Sequence, residues 1–251
     1  MAKRTKRLTS PDQGNGEIRI NKFLSEAGVC SRREADRAIL EGKVKIDGIK
    51  AVMGAKVTKD NLVTYMGKPV KREEKLALIA FNKPVGIVCT TDRREPNNIV
   101  DYINYSMRIY PIGRLDKDSE GLILLTNDGN IVNKILRAEY QHEKEYIVKV
   151  NKEITTEFIK KMSSGVPILN TVTKPCKIKP IDKYTFRIIL TQGLNRQIRR
   201  MCEYLNYNVI SLQRIRIMNI HLGRLKPGNY RNVTEKEIEG MNNLIYKNRA
   251  R

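Results

Sequence analysis

Apolar positions recur at two different spacings along the chain, and the change of spacing predicts its elements. In IRINKFLSEAG the apolar residues Ile20, Phe23, Leu24 and Ala27 fall on one face of a helix that stops at Gly28. Ser31 then opens S-R-R-E, a capping box closed by Glu34, and predicts a second helix over READRAILEG. Its inward face is Ala35, Ala38 and Ile39, and Gly42 ends it. KVKIDG follows, alternating Lys43 and Lys45 with Val44 and Ile46 into an Asp47-Gly48 turn, as a hairpin does.

Beyond Tyr65 the pattern lapses, and the charged GKPVKREEK reads as a linker. LALIAFNKPVGIVCTT restores two apolar runs around Asn82-Lys83-Pro84, predicting strands that meet at a tight connection. Further strands are expected at LILLT (122–126), EYIVKV (145–150), YTFRIIL (184–190) and NVISLQRIRI (208–217). Helical spacing marks NIVNKILRAEY, ITTEFIKKMSSG and NRQIRRMCEYL. Strands outnumber helices and neighbouring strands look like hairpin partners, so the fold class expected is α+β on a mainly antiparallel sheet. The division expected is a flexible basic arm (1–16), a small unit (17–65), a linker (66–75), a larger domain (76–237) and a loose basic tail (238–251).

Charge changes this picture from fold towards function. The chain carries 48 Lys and Arg against 27 Asp and Glu, a net +21, and such a surplus calls for a polyanion, nucleic acid first. An anionic membrane surface is the other candidate, but no apolar stretch reaches the ~18 residues of a spanning helix. The N-terminus lacks the apolar segment of a secretory signal. Cys30, Cys89, Cys176 and Cys202 show no C-x-x-C spacing, which fits reduced thiols in a cytoplasmic protein. With His142 and His221 in unrelated contexts, no zinc site and no histidine-activated nucleophile is expected. Any catalyst would then be a carboxylate, a lysine or a tyrosine. No glycine-rich phosphate cradle occurs, so no nucleotide cofactor is expected either.

The polar faces of the second helix and the first strand are basic over two consecutive elements: Arg32, Arg33, Arg37, Lys43 and Lys45. This is either a solvated face or a phosphate-binding one. Together with the helix-turn-helix and hairpin pattern, the stretch resembles the S4 RNA-binding domain, which implies an RNA partner.

RLDKDSEG (114–121) sets carboxylates at alternate positions, Asp116, Asp118 and Glu120, before Gly121. A calcium loop would need a bidentate Glu at its twelfth position, where Asn127 stands. A solvated turn explains the composition. It does not explain the flanking cations, Arg114 and Lys117, which would keep Asp116 ionised and usable as a nucleophile. In QGLNRQIRRM, Asn195 reads as a helix N-cap, with Ile198, Met201, Cys202 and Leu205 as an apolar stripe. Arg196, Arg199 and Arg200 crowd the first turn, where cations oppose the helix dipole unless an anion is near.

GRLDKDSEGLILLTNDG, with NKPVG (82–86), HEKEYIV (142–148) and QGLNRQIRRM (192–201), resembles the pseudouridine synthases of the ribosomal-RNA type, in the branch that carries an N-terminal S4 domain. The resemblance implies a catalytic domain that isomerises uridine in RNA without cofactor or metal. It implies Asp116 as nucleophile, Tyr146 as the stacking and proton-handling aromatic, and Arg199 as the partner of Asp116. It further implies RNA contacts from Arg114, Leu115, Lys117, Arg196, Gln197 and Ile198, with Arg32, Arg33 and Lys43 on the S4 unit. NKILRAEYQHEKEYIV and GVPILNTVTKPCKIK resemble the large-subunit branch, implying 23S rRNA near the peptidyl-transferase centre as substrate, or else another rRNA or a tRNA uridine. The protein is expected to be a monomer. The competing class is a non-catalytic S4-type RNA-binding or ribosome-assembly protein.

Overall fold

The structure, a computed structural model, describes residues 16–71, 76–136 and 141–247 of the 251-residue chain. The expected arm, apart from Gly16, lies outside the described residues.

The first unit runs β1 (Ile18–Arg19), α1 (Ile20–Glu26), α2 (Arg32–Leu40), β2 (Val44–Ile46), β3 (Ile49–Lys50), β4 (Lys56–Val57), β5 (Val63–Tyr65) and β6 (Lys68–Pro69). The capping box closes as its spacing predicts: the Glu34 amide donates to Ser31 Oγ at 3.2 Å, and the Ser31 amide to Glu34 Oε2 at 2.6 Å. Ile20, Leu24, Ala35, Ile39, Val44 and Val63 pack between the helices and a four-stranded sheet ordered β3-β2-β5-β6. The expected linker is corrected at its start. Met66 and Gly67, both left-handed (φ 49° and 78°), turn the chain so that Lys68–Pro69 pairs with β5 and Val70 packs on this core. A polar, two-residue hairpin turn reads in sequence like the beginning of a linker.

The second unit continues β7 (Leu78–Lys83), α3 (Ile99–Ile103), β8 (Tyr110–Ile112), β9 (Glu120–Thr126), α4 (Gly129–Leu136), β10 (Lys144–Val150), α5 (Thr156–Ser164), β11 (Pro167–Ile168), β12 (Thr171–Val172), β13 (Lys177–Pro180), β14 (Thr185–Leu190), α6 (Gln197–Tyr204), β15 (Val209–Ile217), β16 (Ile220–His221), β17 (Tyr230–Asn232) and α7 (Glu235–Lys247). Its main sheet follows the order β13-β14-β10-β15-β9-β7-β17. Neighbours run antiparallel except β15 and β9, a parallel contact that joins two antiparallel halves.

Both faces of the sheet are covered, which is why the central strands read as unbroken apolar runs rather than alternating ones. Ile79, Phe81, Ile123 and Leu125 point into one core with Phe158 and Met162 of α5 and Ile198 and Met201 of α6. Leu78, Ala80, Leu122 and Leu124 point into the other, with Ile131 and Ile135 of α4 and Met241 and Ile245 of α7. The expected loose tail from 238 is therefore corrected to a packed helix through Lys247, because Met241 and Ile245 bring an apolar stripe to the sheet. The second run of LALIAFNKPVGIVCTT is corrected as well. Past Pro84 and the left-handed Gly86 (φ 94°), only an isolated bridge from Val88 to Asn98 forms. No helix among the described residues is long and apolar enough to cross a membrane.

The two units touch where α1 meets the second: Lys22 Nζ donates to Asn130 Oδ1 at 2.7 Å.

Candidate active site

Four residues form a row across the sheet at the parallel junction. Lys83 on β7 registers with Gly121 on β9, Gly121 with Arg214 on β15, and Arg214 with Tyr146 on β10. Gly121 is obligatory there. Its φ is +109°, and a Cβ would come 2.4 Å from the Arg214 carbonyl oxygen, so only a bare α-carbon lets β15 approach β9.

The loop entering β9 carries the carboxylates. The Ser119 amide donates to the Asp116 carbonyl at 3.1 Å, closing a turn that leaves Asp116 half-buried at the entrance to β9. The Gly86 amide donates to the Lys117 carbonyl at 2.7 Å, and the Leu115 amide points to Cys89 Sγ at 3.4 Å, so this turn is tied to the chain following β7. Lys83, completely buried, aims its amine at the carbonyls of Pro84 (2.8 Å) and Ile87 (2.9 Å), and more distantly Lys117 (3.5 Å). Burial lowers the affinity of that amine for its proton, with the carboxylates of Asp118 and Asp116 acting in the opposite sense.

α6 supplies the arginines, with pairings that correct the expectation. Arg199 is held by Asp118, not by Asp116: its Nη2 donates to the Asp118 carbonyl (2.9 Å) and Ser119 Oγ (3.2 Å), and its Nε lies 3.4 Å from Asp118 Oδ2. Arg196 forks onto the Asp118 carboxylate at 3.2 Å in both arms and also reaches Asp116 Oδ2 at 3.9 Å. Both arginines thus lie closer to the Asp118 carboxylate than to that of Asp116. Asn195 is not the N-cap. Arg196 occupies that position in a left-handed conformation (φ 48°), and the Asn195 oxygens accept from the Arg200 side chain. A left-handed arginine costs about 1 kcal/mol or more, the kind of strain that collects at working sites.

The remaining expected residues divide by exposure. Arg114 and Lys117 are exposed beside Asp116, as are Arg32, Arg33 and Lys43 on the S4-like unit, although Lys43 already pairs with Glu41 at 2.5 Å. Leu115, Gln197 and Ile198 are buried, which corrects their expected place on an RNA-facing surface. Gln197 instead accepts the Leu194 amide at 3.0 Å, and Leu115 and Ile198 belong to the core. Tyr146 is buried except at its rim, with the Arg214 guanidinium 6.0 Å from its ring centre.

Several site residues escaped the sequence reading as working groups: Lys83, Asp118 and Arg214. Two of them carried a signal. Lys83 ends an apolar strand, and Arg214 takes a position of the same parity as Leu212 in an alternating strand. Among the described residues no cluster of His, Cys, Asp and Glu is placed to hold a metal ion.

Known proteins resemble this chain in sequence and fold. The model of the RNA pseudouridylate synthase family matches residues 77–204, and that of the S4 domain matches 18–57. The chain is 56% identical over 229 residues to the dual-specificity RNA pseudouridine synthase RluF of Salmonella typhi, covering 90% of this chain and 79% of that one. It is 54% identical to the protein of that name from Escherichia coli strain K12, covering 92% and 80%. Ribosomal large subunit pseudouridine synthase B of Bacillus subtilis is 37% identical, covering 90% and 96%. A solved pseudouridylate synthase superposes with a TM-score of 0.66 at 27% identity, over 89% of this chain and 99% of that one. These matches define an RNA-modifying enzyme. The chain belongs to the RNA pseudouridylate synthase family, with an S4 domain ahead of the catalytic domain.

Proposed function

We propose that this synthase converts a uridine of 23S rRNA near the peptidyl-transferase centre to pseudouridine, with Asp116 as its nucleophile. The observation that carries the assignment of Asp116 is its placement: half-buried on the turn that enters β9, with Arg196 3.9 Å from its carboxylate and its charge acting on the buried Lys83 amine. The names of the relatives support the substrate, since one acts on the ribosomal large subunit.

The reaction breaks the bond between C1′ and N1 and forms one between C1′ and C5. C5 gives up a proton and N1 gains one, so nothing is consumed. A base stacked in a helix exposes neither ring atom, and the nucleotide must be flipped out at a cost of a few kcal/mol. Tyr146 offers the flipped uracil a stacking face, and its phenol is the group assigned to the C5 proton. Arg196 and Arg199 hold Asp118, leaving Asp116 unclamped. Arg114, Lys117 and Arg196 meet backbone phosphates around the flipped nucleotide, while Arg32, Arg33 and Lys43 hold the RNA at the S4 domain. The enzyme works as a monomer in the cytoplasm.

Asp116→Ala should abolish tritium release from 5-tritiated uridine in RNA while leaving RNA binding intact. Release at the wild-type rate would end the assignment. Mapping pseudouridines across total rRNA with and without the protein tests the target. A second RNA substrate, a tRNA among the candidates, is favoured by the dual specificity in the names of the 56% and 54% identical relatives.

A further inference from the structure

Arg214, which neighbours Tyr146 in the row, has no part in the reaction as described. It is 3% exposed and lies on the same side of β15 as the core residue Leu212, so its charge is turned inward. A buried guanidinium ordinarily faces a carboxylate, because an uncompensated charge is costly. Among the described residues Arg214 forms no ion pair. Its Nε donates to the Leu122 carbonyl at 2.6 Å and its Nη1 to the Arg114 carbonyl at 3.2 Å. Those carbonyls bracket Asp116 in sequence, so the fork closes over the base of the turn that presents the nucleophile. Its Nη2 is buried without any hydrogen-bond partner. The Tyr146 ring centre lies 6.0 Å from the guanidinium.

Two neighbours place the same charge inside the site. Lys83 and Lys144 both hold their protons less tightly, mainly through burial, and in each the Arg214 charge adds to the effect. A buried donor with no partner is costly, and a fold retains one where a ligand completes it.

We propose that Arg214 is a positioning residue that ties the Asp116 turn to Tyr146, and that its free Nη2 donates to a ring carbonyl of the flipped uracil. The inference rests on the assignment of Asp116 and Tyr146 above. A uracil stacked on Tyr146 turns its O2 and O4 edge outward in its own plane, where a planar guanidinium offers its donors. A phosphate would lie off that plane and away from the ring.

The test uses the full-length protein and a stem-loop RNA, measured under single turnover. The target uridine is prepared normally, as 2-thiouridine, as 4-thiouridine, or with a methylphosphonate on its 5′ side. Sulfur accepts hydrogen bonds poorly, so one thio-substitution should slow the wild-type protein about 10–100-fold, the range expected for losing a charged hydrogen bond. Arg214→Lys keeps the charge but not the fork. It should be about 100-fold slower on normal RNA, as a misplaced reacting group is, with unchanged RNA affinity and no sensitivity to the thio-substitution. Wild-type indifference to both thio-uridines would overturn the proposal whether or not the variant folds. So would equal thio-sensitivity in both proteins, or a sensitivity lost in the variant only for the methylphosphonate. Asp116→Asn run alongside separates the two readings. If it turns over, the nucleophile is wrong; if it is dead while Arg214→Lys matches the wild type, only the role of Arg214 is.

Discussion

Arg199 and Asp118 are joined through both backbone and side chain, with Nη2 2.9 Å from the Asp118 carbonyl and Nε 3.4 Å from its carboxylate. Arg196 forks onto the same carboxylate from the exposed side. Two arginines at the start of one helix are therefore neutralised by a residue two positions past Asp116. This arrangement stabilises cations that the helix dipole disfavours. It also leaves Asp116 near positive charge without a bidentate clamp, free to move towards carbon.

Acid should weaken this link first. Burial raises the pKa of the Asp118 carboxyl, but the Arg196 hydrogen bonds and the Arg199 and Arg196 charges outweigh it and hold the group below the usual carboxylate range. A group depressed in the folded state contributes stability above its unfolded pKa of ~3.9, and loses it as pH falls through the folded value. The side chain is 47% exposed, so after solvent screening the contribution is about 1 kcal/mol or less. Urea midpoints at pH 7 and pH 3 should fall further for the wild type than for Asp118→Asn. Parallel losses would show that Asp118 does not carry the linkage.

Gly121→Ala is expected to damage both fold and activity. The new Cβ meets the Arg214 backbone at 2.4–2.6 Å, and rigid backbone on both sides cannot yield cheaply. Gly48→Ala is the control, because Gly48 is also left-handed (φ 83°) but has open space around it. The control should lose roughly 1 kcal/mol from backbone strain alone. Gly121→Ala should lose clearly more in thermal melts, with turnover falling further than the melting shift accounts for.

The S4 face makes a prediction about salt. Arg32 and Arg33 are exposed on α2, whereas Lys43 already pairs with Glu41. Each phosphate neutralised steepens the dependence of log K on log salt by ~0.7–0.9. Arg32→Ala with Arg33→Ala should flatten the slope by roughly 1–2, and Lys43→Ala by less than either arginine. An unchanged slope in the double variant would move the RNA to another surface.

Local chemistry was legible in the sequence and cross-chain pairing was not. The capping box at Ser31, the Asp47-Gly48 turn and the strands around LILLT and EYIVKV follow from side-chain spacing, and they form as expected. Helix α7 was legible in principle, since Ile238, Met241 and Ile245 repeat at helical spacing, but the basic residues around them suggested a tail. The partner of Arg199 could not be read at all, because it depends on how α6 docks against a loop about 80 residues earlier in the chain. The same holds for Arg214: its parity marks it as inward, yet the carbonyls it forks between belong to β9 and to the loop that enters it, made adjacent only by the parallel junction.

Lys83 gives the last prediction, with a sign opposite to that of Asp118. Its amine loses its proton more readily in the folded state, chiefly because burial penalises the charge. Between its lowered folded pKa and its unfolded pKa of ~10.4 the unfolded chain binds more protons, so this residue makes stability rise with pH. Lys83→Met removes the charge and orphans the Pro84 and Ile87 carbonyls, which should cost about 1–3 kcal/mol at pH 7. The deficit should then widen from pH 7 to pH 10, because the variant lacks the rising contribution. Taking the difference between the two proteins cancels the thiols of Cys30, Cys176 and Cys202. Cys89 does not cancel fully, because the Lys83 charge lowers its hold on its proton, and losing that charge widens the deficit in the same sense. Urea denaturation at pH 7, 8.5 and 10 measures it, and a deficit that stays constant or narrows with pH would mean that the Lys83 amine keeps its proton in the fold at least as firmly as in the unfolded chain.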